Sequence, residues 1–94
     1  MYKWRYDGLA SMKDSTISIL REQALVIEIN IKCALISLMS LEESAHELEI
    51  AGLSNPLKRY QSAIKRQNKI IDRLANSRKR TLQLINLLQT DNSQ

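Results

Sequence analysis

Residues 17–48 read Ile17-SILREQALVIEINIKCALISLMSLEESAHE-Leu48, and the order of apolar and polar residues in this stretch decides the fold. Counting from Ile17, apolar residues return at alternating steps of three and four: Ile17, Leu20, Ala24, Ile27, Ile31, Ala34, Leu38, Leu41, Ala45, Leu48. No polar residue interrupts the series. A 3,4 alternation marks a helix packed lengthwise on another helix, because a repeat of about 3.5 residues keeps one stripe turned toward the partner. From Ile27 to Lys32 apolar and polar residues also alternate one by one, as in a strand. That run has no turn residues at its ends and lies inside the longer helical pattern, so helix is the expectation.

Working outward, Ser11, Asp14 and Ser15 are N-cap types before the series, and Gly52, Ser54, Asn55 and Pro56 follow it. The pattern predicts a first helix over 11–51, a turn over 52–56 and a second helix over about 56–89, with a polar tail at 91–94 and an aromatic, basic segment at 1–10. In the second helix the seam reads Leu57, Tyr60, Ile64, Gln67, Ile71, Leu74, Arg78, Thr81, Ile85 and Leu88. Ala63, Ile70, Ala75, Leu82 and Leu84 widen its apolar face around the polar interruptions, which are expected to fix register or partner choice. A short connection between two such helices makes them antiparallel neighbours, each arm roughly 50 Å long at about 1.5 Å per residue. The predicted class is all-α, an antiparallel two-helix hairpin.

Composition supports this. Gly8, Gly52 and Pro56 are the only Gly or Pro in 94 residues, too few for the frequent turns of an all-β fold. There is no Phe to fill a core, and so short a chain hides only about 60 to 68% of its unfolded surface. Between Ala24 and Leu41 thirteen of eighteen residues are apolar, and Leu25, Val26, Ile29, Leu35, Ile36 and Met39 lie off the seam. One partner helix covers one stripe, so these residues are expected to bind further helices. The hairpin then completes a four-helix or larger bundle by oligomerisation or with another protein. Glu28, Asn30 and Lys32 interrupt the same stretch, where charges would be costly in lipid, so a membrane span is not expected.

Charge divides the chain. Residues 1–50 hold five Lys or Arg and eight Asp or Glu, a net of −3; residues 51–94 hold nine and two, a net of +7. Arg59, Arg66, Arg73 and Arg80 recur every seven residues, beside Lys58, Lys65, Lys69 and Lys79. These eight cations form one stripe on the face away from the seam. The stripe suits an acidic protein surface, a nucleic-acid backbone or an anionic membrane surface, or else is solvated and partly neutralised by Glu42, Glu43, Glu47 and Glu49. It has no aromatic residue to stack bases. Tyr2, Trp4 and Tyr6, beside Lys3 and Arg5, are residue types that dominate binding hot spots, and equally could clasp the helix ends.

Catalysis is not expected. Cys33 lies in an apolar helix without a His or cation cluster to form a thiolate, and a single cysteine allows no internal disulfide, which suits a reduced, cytoplasmic setting. No secretory leader is recognised at the start. Glu43 and His46 match one Glu-x-x-His element of dimetal bundles, but the second helix has no Glu, so no metal or other cofactor is expected. The glycines are too far apart for a phosphate loop.

The turn region Ser54-Asn55-Pro56-Leu57-Lys58-Arg59-Tyr60-Gln61-Ser62, with Asn68 beyond, resembles the interhelix turn of needle subunits and small helical co-chaperones of type III secretion systems. The resemblance implies a non-catalytic, chaperone-like hairpin that hides the apolar face of a secretion component, with Tyr60 and the second seam in the contact. The alternative is a small dimeric nucleic-acid-binding regulator acting through the basic face.

Overall fold

The computed structural model describes residues 2–92, with side chains from Met12 to Thr90. Two helices, α1 (Tyr2–Ala51) and α2 (Ser54–Asn92), pack on each other as an antiparallel hairpin, and among the described residues there is no strand. The molecule is a rod of 75 × 16 × 15 Å. Fifty residues at about 1.5 Å each span ~75 Å, so α1 alone sets this length. The arm exceeds the expected length because the helix starts at Tyr2 rather than near Ser11. Ser11, Asp14 and Ser15 therefore lie within α1 instead of capping it, and the Thr16 hydroxyl donates to the Met12 carbonyl at 2.8 Å within the same helix.

The turn is shorter than the sequence suggests. Gly52 N–H donates to the Glu49 carbonyl at 3.1 Å and Leu53 N–H to the Leu48 carbonyl at 3.0 Å, with Gly52 at φ +73°. This pair of bonds is a Schellman C-cap, which satisfies two of the carbonyls left open at the end of α1. Leu53 also opens α2, since its carbonyl accepts from Leu57 N–H at 3.1 Å. One residue thus closes the first helix and caps the second, leaving Gly52 and Leu53 as the whole connection. Pro56 falls in the first turn of α2, where a missing N–H is no loss.

Every α1 residue of the 3,4 series is buried or half-buried, with Ile17, Ala24, Ala34 and Ala45 the most enclosed. Three of these four are alanines, which let the helix backbones come close. At Ala34 the approach is direct: Gln67 Nε2 donates to the Ala34 carbonyl at 3.0 Å, a bond a larger side chain at 34 would obstruct. In α2, Thr81 and Ile85 are buried, and Leu57, Ile64, Gln67, Ile71, Leu74, Arg78 and Leu88 are half-buried. Thr81 satisfies its hydroxyl within the helix by donating to the Ser77 carbonyl at 3.0 Å. Tyr60 is the exception, exposed near the turn. Of the positions expected to widen the α2 face, Ala63 is half-buried, but Ile70, Ala75, Leu82 and Leu84 are exposed. A single facing helix reaches only the central stripe.

Candidate functional site

The hairpin seam leaves the opposite side of α1 bare. Leu25, Val26, Ile29, Leu35, Ile36 and Met39, the six residues expected to meet a partner, are between 43% and 68% exposed. Cys33 is exposed among them. Five of the six point away from α2, because they stand at the heptad positions farthest from the seam, and Leu35 stands on its flank. Further large apolar side chains are exposed outside this patch. Met12, Ile19 and Ile50 on α1, and Leu87 on α2, are also more than half exposed. Extending the same helical wheel beyond residues 24–41 finds Met12, Ile19 and Ile50, whereas Leu87 continues the Arg59–Arg80 row on the outer side of α2. A soluble monomer rarely presents so long an apolar strip.

All eight cations of the α2 stripe are exposed, and Arg59 to Arg80 cover about 30 Å of helix. The stripe sits on the outer side of α2, so the rod has an apolar back and a basic back, joined through the seam. Among the described residues no carboxylate bridges to a Lys or Arg, so the acidic end of α1 does not pair with the stripe within the hairpin. One cation departs from this pattern. Arg78 lies in the seam, where its Nε is buried without a hydrogen-bond partner.

A shallow groove of about 360 Å³ runs between the helices, lined by Ile19, Glu22, Gln23, Val26, Ile27, Ser77 and Thr81. Glu43 and His46 are exposed, and among the described residues no three metal-ligating side chains converge. Tyr2, Trp4 and Tyr6 belong to the first turns of α1, but their side chains lie outside the described residues.

By length and composition α1 also meets the requirement for crossing a membrane. An 18-residue window within Met12–Ala51 reaches a mean hydropathy of 1.8, and only 6% of it is buried in the hairpin. In the hairpin, α2 would have to accompany α1 into such a span. The Gln67–Ala34 bond marks the register, which sets Arg66, Lys69, Arg73 and Lys79 of α2 at the height of the apolar stretch. Each cation at mid-bilayer would cost about 2.5–3.5 kcal/mol or more. Searches of protein-family models, curated proteins and solved structures return no match to this chain.

Proposed function

We propose that this protein is a non-catalytic helical interaction module, an assembly, adaptor or chaperone-like subunit whose outer α1 face docks on partner helices. The observation that carries this reading is the half-exposed strip Leu25, Val26, Ile29, Ile36 and Met39 on the helix side that α2 cannot reach. Burying such a strip supplies affinity through apolar area. The basic stripe on the opposite back supplies orientation and rate toward acidic surfaces. Opposed apolar and basic backs suit a soluble, cytoplasmic subunit of a larger helical assembly. The resemblance of the turn to type III secretion hairpins makes a secretion component a specific candidate for the covered helices.

The test uses Cys33, the sole cysteine, as a reporter in the middle of the strip. Its alkylation by a maleimide is timed in the native cell and compared with the urea-unfolded chain. Docking predicts that the thiol reacts at least tenfold more slowly in the cell. Reaction at the unfolded rate would mean the face is open and the reading is wrong.

A second reading, a nucleic-acid-binding regulator, is favoured by the eight exposed cations along about 30 Å. Duplex DNA or heparin binding that persists at 150 mM salt and is lost in Arg66→Glu/Arg73→Glu would support it, and no binding at low salt would end it.

A further inference from the structure

The outer face of α1 carries a second, shorter seam. Val26, Ile29, Cys33 and Ile36 follow steps of three, four and three, and all four are exposed on the side opposite α2. This spacing is the same read in either direction, with its midpoint at residue 31. Two copies of α1 laid antiparallel about that midpoint would set Val26 against the partner's Ile36 and Ile29 against the partner's Cys33, each contact occurring twice. The polar residues that end the seam, Glu22 and Ser40, would also meet each other. A patch that matches itself after a two-fold rotation is what an isologous interface requires.

Charge selects the antiparallel direction. Glu42, Glu43, Glu47 and Glu49 crowd the C-terminal end of α1, and a parallel pair would stack this cluster on its own copy. The antiparallel pair sets it at the height of residues 13–20, where Lys13 and Asp14 balance, with Arg21 of the partner subunit next to it. The area a second copy would cover is apolar along its length: Val26, Ile29, Cys33 and Ile36, flanked by Leu25 and Met39, are all exposed.

We infer that the occupant of the α1 outer face is a second copy of this chain, bound antiparallel with its two-fold axis near Ile31. This rests on the docking reading above and names its partner. Because α1 lies between α2 and the partner's α1, both basic stripes face outward, and like charges stay apart across the assembly.

Cysteine cross-linking tests it. In a Cys33→Ser background, Val26→Cys and Ile36→Cys proteins are made separately, one carrying a size tag. Both changes lie on the outer face and leave the hairpin seam intact. Oxidation of the mixture is expected to give the mixed disulfide as the main product, at least fivefold above either protein oxidised alone. Unmodified Cys33 is not expected to cross-link, since the two thiols would stand about four residues, ~6 Å, apart along the axis in addition to the spacing between helices. Efficient cross-linking of each variant with itself would overturn the antiparallel arrangement. No cross-link in the mixture would overturn the second copy. In that case Cys33 protection in cells would keep the docking reading with a different protein as partner, and loss of both signals would remove both.

Discussion

Replacing Gly52 with Ala tests the turn on which the hairpin depends. Gly52 has φ +73°, and a Cβ built there meets nothing within 4 Å, so the cost comes from backbone conformation alone. A non-glycine residue in the left-handed region loses about 1–2 kcal/mol. The unfolded chain becomes stiffer, which returns roughly 0.4–1 kcal/mol to the folded side. The net expected loss is therefore about 1 kcal/mol, with Asn less costly than Ala because it tolerates the left-handed region. The chain has one escape, in which α1 continues through the turn into α2 as a single straight helix that pairs with another molecule. Pro56 opposes this, since inside a continuous helix it would lose a hydrogen bond and clash with the preceding turn, at about 3 kcal/mol. Gly52→Ala should thus remain a hairpin, whereas Gly52→Ala/Pro56→Ala should shift toward an extended form. Urea unfolding measures the first effect, and the maximum dimension from small-angle scattering, against the 75 Å rod, measures the second. A Gly52→Ala protein as stable as the original, with unchanged dimensions, would refute the reasoning.

Other substitutions probe the seam. Arg78→Met removes a buried Nε that has no partner and should raise stability by about 1 kcal/mol in urea unfolding. Gln67→Met gives up one hydrogen bond worth about 0.5–1.5 kcal/mol, but Ala34 keeps its helical partner and an amide leaves a half-buried site, so stability should change by less than about 1 kcal/mol. A loss of 2 kcal/mol or more would show that this bond holds the register. Ile85→Ala, at a position only 6% exposed, should cost about 2–4 kcal/mol, while Ile36→Ala, on the outer face, should leave unfolding of the isolated hairpin within about 0.5 kcal/mol.

Much of the architecture was legible because heptad spacing reports directly on helix pairing. The ten apolar residues from Ile17 to Leu48 form the buried side of α1, and the +7 half carries eight of its nine cations outward. Boundaries were less legible. Ser11, Asp14 and Ser15 are good caps, but nothing between Tyr2 and Ser11 stops a helix except Gly8, whose cost of about 1 kcal/mol a long helix absorbs. The turn was read as five residues because Ser54, Asn55 and Pro56 are turn types, although the same residues suit the first turn of α2. Ile70, Leu82 and Leu84 lie beside the α2 seam, as their spacing places them, and stay exposed because one neighbouring helix reaches only the central stripe. The exposed strip on α1 was visible in sequence as apolar residues off the seam, whereas the isolation of Arg78 needed coordinates.

The central claim is that a second copy of this chain covers the outer face of α1 in the stable form of this protein. It is tested most directly by the solution mass from light scattering between 1 and 100 μM, paired with urea unfolding. The account predicts about twice the 10.8 kDa of the chain, with stability rising as protein concentration rises. A 10.8 kDa monomer across that range, unfolding cooperatively and independently of concentration, would contradict it.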